Sequence, residues 1–278
     1  MRLPILKSLS CTLLSLQAGR VLASLDTRIS GSNSLAHAVR EVSQCQPFKS
    51  SFLPQDISQS LDTQFVAISP SGSYSTGDNG LELFLDKPRG TITTKNGVNS
   101  MVGDGATVNS TFTLLHGKVT FTFSGPVVPG VVTAAILISD QHDEIDVELL
   151  GGDPSHWQTN VYASSPEDEQ PLWGVFGEIE YYTHGGTVED THAYTIDWND
   201  ERIVWSVDGT AVRTIKKDQT EKHGALHFPS HAMRLQLGIW DASSPAGTAQ
   251  WAKGPIDWSS APSRMTATFK SVEVECPY

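Results

Sequence analysis

Five consecutive residues, Glu144-Ile145-Asp146-Val147-Glu148, alternate acidic with β-branched side chains. Neighbouring side chains of a strand point to opposite faces, so Glu144, Asp146 and Glu148 share one face while Ile145 and Val147 can enter a core. Three carboxylates in one row repel each other and serve no structural end unless something uses them. The chemistry that uses such a layout is cleavage of a glycosidic bond with retention, which needs a nucleophilic carboxylate and an acid/base carboxyl about 5–5.5 Å apart. Positions four apart on a flat strand have Cα atoms roughly 13 Å apart, so two glutamates on a concave sheet must lean together. An aspartate between them would hold the nucleophile by a hydrogen bond and, through its charge, keep the other carboxyl protonated to higher pH. Two rival uses of clustered acids are weaker. Edge strands carry charge to resist aggregation, but the apolar run Val131–Ile138 just before implies a central strand pair. Calcium takes acids together with loop carbonyls, and this stretch reads as a strand. Neither a metal nor a cofactor is expected.

The elements that must position these acids are strands. Thr63–Ile68, Leu81–Leu85, Thr111–Leu115, Lys118–Ser124, Val131–Ser139, Glu144–Leu150, Gln158–Ala163, Glu178–Thr183, Ala193–Trp198, Arg202–Val207, Ala211–Ile215, Met233–Ile239 and Met265–Glu275 are rich in β-branched and aromatic residues. Turn chemistry separates them, notably Gly151-Gly152-Asp153 and Asp208-Gly209, the latter suited to a tight type I′ hairpin. Helical periodicity is absent except for a turn or two at Asp56–Leu61 and Gln219–Gly224. About a dozen short strands predict an all-β fold of two stacked antiparallel sheets, curved enough to leave a groove. No repeat points to a propeller.

The chain begins with Arg2 and Lys7, an apolar stretch from Leu9 to Leu16, and Val21-Leu22-Ala23. That order reads as a secretory signal peptide over residues 1–23, too short to span a bilayer. Residues 24–44 read as a flexible leader, and 45–278 as one domain. The last residues, Val272–Tyr278, end without an apolar tail, so no membrane span or lipid anchor is expected there. A net charge of −12 disfavours nucleic acid and anionic membranes as partners. Cys11 leaves with the leader, and Cys45 and Cys276 form an even pair that an oxidising compartment would bridge, with two buried thiols as the alternative. The sequon Asn109-Ser110-Thr111 marks a candidate N-glycan. All seven tryptophans lie beyond residue 156; indoles stack on the C–H faces of sugars. Trp240 and Trp251, in Gly/Ser/Pro-rich surroundings, suit binding, whereas Trp198 and Trp205 can equally be core.

The acid strand, followed by Gly151-Gly152-Asp153 and Gln158-Thr159-Asn160, resembles glycoside hydrolase family 16, and within it the fungal Crh-type cell-wall transglycosylases. Gly117-Lys118-Val119, His192–Trp198, Trp205–Gly209, Val212-Arg213-Thr214, Leu237–Trp240 and Gly247–Ala252 follow in the same order. The resemblance implies a concanavalin A-like jelly-roll with a concave glycan-binding groove and a double-displacement mechanism. It makes Glu144 the nucleophile, Asp146 the assisting acid and Glu148 the acid/base. It also implies that Gln236, Trp240 and Thr248 touch the sugar chain, with Asn160, Trp205, Arg213 and Trp251 lining the groove. The implied activity moves a piece of chitin onto β-glucan, crosslinking the wall. The protein is expected to be secreted and monomeric. Lys253 stands where the family often has glycine, and Asp241-Ala242-Ser243-Ser244 replaces a more glycine-rich loop. A plain endo-β-glucanase or chitinase-like hydrolase is the alternative. A catalytically silent lectin-like binder is a third reading, which the intact acid triplet counts against.

Overall fold

The computed structural model describes residues 45–278; the leader expected over 1–23 and the segment 24–44 lie outside the described residues. Two eight-stranded sheets form the domain. The sheet carrying the acids runs Glu178–Tyr181, His156–Tyr162, Glu144–Leu150, Val131–Ser139, Met233–Asp241, Ala106–Ser110, Phe65–Ala67, Ile57–Ser58. The opposing sheet runs Thr210–Lys216, Arg202–Val207, His192–Trp198, Gly117–Ser124, Arg264–Glu275, Gly80–Asp86, Tyr74–Gly77, with Phe48–Ser50 added on Arg264–Glu275. Pairing is antiparallel except for the short parallel pair Ile57↔Phe65 at one edge. The acid strand lies third from its edge, flanked on both sides, as the apolar run before it predicts.

The core sits between the sheets. Ile145, Val147 and Leu149 meet Val119, Phe121, Tyr194, Ile196, Trp198 and Trp205, all buried. Val131–Ser139 is buried at every position, a both-faces burial that accounts for its mostly apolar run. One set of its side chains enters the core; the other, Ala134, Ile136 and Ile138, makes a separate apolar patch on the acid side. The Asp208-Gly209 turn forms as its sequence predicts, with φ of 49° and 79° and Val207 opposite Thr210.

Three expectations are corrected. The strand expected at Thr111–Leu115 lies just before it, at Ala106–Ser110. Position beside Gln236–Ile239 decides this, overriding the β-branched composition of the later stretch. No helix replaces Asp56–Leu61, where Ile57-Ser58 forms the edge pair. The single α-helix among the described residues, Ala246–Trp251, falls where the sequence reads as loop.

Cys45 and Cys276 form a disulfide, Cα atoms 5.6 Å apart, beside the pairing Phe48↔Val274. It closes a loop of 231 residues, which restricts the unfolded chain strongly. Replacing both cysteines by serine is expected to cost about 2–5 kcal/mol, read as a lower melting temperature that reductant no longer changes.

Candidate active site

Register alone lays out the acid face. Directly paired residues share a face, so Glu144 lies beside Tyr162 and Ile138, Asp146 beside Asn160 and Ile136, and Glu148 beside Gln158 and Ala134. One strand further on, Arg234, Gln236 and Gly238 continue these rows, and Asn109 follows Gln236. This is the outward face of the sheet, yet Glu144, Asp146 and Glu148 are only 3, 1 and 6% exposed. Outward side chains this buried are covered by neighbouring groups. The acids therefore lie recessed on a trough-like face, not on an open sheet.

The strand is held in place at both ends and from beneath. At its start, the Asp143 carboxylate accepts from the backbone N–H groups of Ser230 (2.8 Å) and His231 (3.1 Å) and pairs with the His231 ring (2.8 Å). The hairpin before it is tied by Ser139 Oγ, which accepts from Asp143 N at 2.9 Å, and by Arg234 donating to Asp140 at 2.6 Å. Beneath the strand, the indole N–H of Trp205 donates to the backbone carbonyl of Asp146 at 3.1 Å. Burial pushes the Glu148 carboxyl well above the usual carboxylate range, and the charge on Asp146 adds to the shift.

Aromatic residues close one end of the trough. Trp240 and Trp251 stack with ring centroids 6.1 Å apart, and the Trp251 N–H reaches across to Gln158 Oε1 at 2.8 Å. Val132, Leu150, Ala242 and Ala252 pack beneath them. Both amide atoms of Gln236, the Trp240 N–H, the Thr248 hydroxyl and Asn109 Oδ1 are buried without a hydrogen-bond partner. An unpaired buried polar atom costs about 1–3 kcal/mol. A sugar hydroxyl or acetamide laid in the trough would offset that cost.

Of the side chains that the sequence assigns to the site, the structure brings Glu144, Asp146, Glu148, Asn160, Gln236 and Trp240 onto one face, with Trp251 and Thr248 on the helix over its end. Trp205 and Arg213 are corrections. Trp205 is wholly buried between the sheets, and the Arg213 guanidinium lies 4.6 Å from its ring centroid, donating to Thr159 Oγ1 at 2.7 Å and to the Phe176 carbonyl. They support the floor from below and do not line the groove, because their strands, Arg202–Val207 and Thr210–Lys216, belong to the opposing sheet. Removing the indole N–H with Trp205→Phe is expected to cost about 1–3 kcal/mol of stability. It should also lower kcat with little change in KM, checked by thermal melts and steady-state kinetics.

The sequon residue Asn109 is also corrected. It is 6% exposed and paired with Gln236 on the acid face, whereas glycan-bearing asparagines sit on surface loops. Sequence reasoning missed Gln158 and Tyr162, although both lie two residues from Asn160 and strand alternation alone places them on its face. Among the described residues no cluster of His, Cys, Asp and Glu could hold a metal ion, and no helix is long and apolar enough to cross a membrane.

A two-sheet sandwich with a buried row of carboxyls on the floor of an aromatic-ended trough defines a glycoside hydrolase of the jelly-roll class. The family model for glycosyl hydrolases family 16 matches residues 62–260, and the chain belongs to that family. It is similar to Crh-like protein CRH11 of Candida albicans, 33% identical over 244 residues covering 84% of this chain and 46% of the relative. It is also similar to Crh-like protein 2 of Aspergillus fumigatus, 39% identical over 178 residues covering 58% and 37%. The chain thus spans about half the length, or less, of these curated relatives. Its fold matches the Crh5 transglycosylase in complex with NAG, with a TM-score of 0.66 and 29% identity, over 84% of this chain and 89% of that one. A prokaryotic β-1,3-1,4-glucanase from a mouse hindgut metagenome shares the fold at 22% identity and a TM-score of 0.62, over 82% of this chain and 98% of that one. The architecture is therefore the concanavalin A-like jelly-roll that the resemblance implied.

Proposed function

We propose that this chain is a retaining transglycosylase that cleaves a β-linked cell-wall polysaccharide of the chitin type and transfers the new end to β-glucan. The observation that carries the reading is the buried acid row, in which burial and then the charge of Asp146 raise the pKa of Glu148. An acid that stays protonated to higher pH suits donation to a leaving oxygen.

In the first step the Glu144 carboxylate attacks the anomeric carbon as Glu148 gives its proton to the departing glycosidic oxygen. A glycosyl ester on Glu144 and a free leaving chain result. In the second step Glu148, now ionised, takes the proton of an acceptor hydroxyl whose oxygen attacks the same carbon and releases Glu144. Asp146 orients Glu144 and tunes Glu148. Transfer wins over hydrolysis when a bound acceptor is positioned better than water, a role suited to the aromatic end of the trough. The likeness to Crh-like proteins and to a transglycosylase solved with NAG supports the donor class. The disulfide fits an oxidising compartment, and we read the protein as secreted and monomeric.

Incubation with a labelled chitin oligomer and laminarin, followed by mass spectrometry, tests the reading. A hybrid carrying both sugars is expected. Shortened free oligomers alone would make the chain a plain hydrolase, and unchanged sugars would make it a binder.

A further inference from the structure

The edge strand Glu178–Tyr181 has its alternation reversed. A sheet with one face on a core normally turns apolar residues in and polar ones out. Here Glu180 points in, buried, and accepts from Thr159 Oγ1 at 3.0 Å, while Glu178 lies 3.6 Å from Arg213 Nε. Ile179 and Tyr181 point out, 53% and 66% exposed. Inward charge is one way an edge strand resists pairing with another chain, and that accounts for Glu180. It leaves two large apolar side chains on the outside unexplained.

The register shows what they face. Ile179 pairs with Gln158, which pairs with Glu148, and Tyr181 pairs with His156 on the same face. The Glu148 row therefore continues across Gln158 to Ile179, two strand spacings or about 10 Å away, a span of about two pyranose units. The Tyr181 ring is also fixed in orientation. The His156 ring meets it edge-on at 4.6 Å and 87°, and His156 Nδ1 is tied to Asp153 Oδ1 at 2.6 Å. Gln158, between Ile179 and the acid, is held by Trp251.

We propose that Ile179 and Tyr181 form a sugar-stacking platform at the sheet edge, taking the second β-linked sugar out from the cleavage point on the Asn160 flank. This rests on reading the acid strand as a glycan-cleaving centre and adds where the chain is gripped beyond it. The apolar C–H face of a pyranose ring covers the phenyl face of Tyr181, whose hydroxyl remains at the solvent edge. Oligomers too short to reach the edge gain nothing from the platform; those that reach it bind more tightly.

The test is a binding ladder in the Glu144→Gln background, where turnover is removed. Affinities for the chitin and laminarin series from monosaccharide to hexasaccharide are measured by calorimetry. Tyr181→Ala is expected to weaken the longest oligomers about fivefold and to leave the monosaccharide unchanged, with Tyr181→Phe matching the parent and Ile179→Ser showing a smaller loss of the same kind. An affinity ladder identical in the parent and in a folded Tyr181→Ala protein overturns the platform, as does a parent with no dependence on length. Concentration-dependent self-association that Tyr181→Ala abolishes, with sugar affinity intact, also overturns it and assigns the patch to a protein contact. The readout needs no chemistry. If the wild type makes no hybrid product yet Tyr181→Ala loses long-chain affinity, the transfer reading falls and the platform stands.

Discussion

Glu144→Gln is expected to abolish turnover, by a factor on the order of 10⁴ or more, while oligosaccharide affinity stays within a few-fold. The amide is close to isosteric and stays within the row beside Tyr162 and Ile138, but it cannot form the glycosyl ester. Binding should survive because the groups proposed to grip sugar are elsewhere: Trp240 and Trp251 at the trough end, and the partnerless Gln236, Thr248 and Asn109 atoms. Titration of the variant with chitin oligomers, alongside product analysis, checks both halves. Retained activity would remove the mechanism. A loss of affinity that matches the loss of rate would make Glu144 a structural residue of the floor.

Glu148→Gln should move activity and stability in opposite directions. Loss of the proposed proton donor should cost about 10²- to 10⁴-fold in rate. Stability runs the other way, because burial and the Asp146 charge hold the folded-state pKa of Glu148 above its unfolded value. The folded state then keeps a proton that the unfolded state has released. The contribution of this group to stability is therefore lost as pH rises from the unfolded value, near 4.3, through the raised folded one. A neutral glutamine does not suffer that loss. The melting temperature of Glu148→Gln should exceed that of the wild type by an amount that grows from acid to neutral pH. Asp146→Asn tests the electrostatic half. Without the neighbouring charge Glu148 ionises more readily, so the alkaline limb of the rate profile should move to lower pH. A limb that does not move would mean burial alone sets the shift.

The alternation Glu144-Ile145-Asp146-Val147-Glu148 was legible without a structure because strand periodicity is local. Two residues per repeat place three acids on one face wherever the strand ends up. The same local logic held for the Asp208-Gly209 hairpin and for the apolar run that makes the acid strand central. The ordered motifs from Gly117 through Asn160 and Trp240 to Trp251 were enough to show the resemblance to the family.

What the chain's local pattern could not decide was which side of which sheet a residue reaches. Trp205 and Arg213 carry the right chemistry for sugar, yet their strands lie in the sheet behind the acids, so they end inside the sandwich. Asn109 reads as a surface sequon until pairing with Gln236 places it on the trough floor. The outward turn of Ile179 and Tyr181 depends on Glu180 finding Thr159 inside. Each of these outcomes is set by contacts between residues far apart in sequence, which local periodicity does not encode. Sequence determined the acid row and its class of chemistry; tertiary pairing decided what surrounds it, because burial and register belong to the sheet and not to the strand.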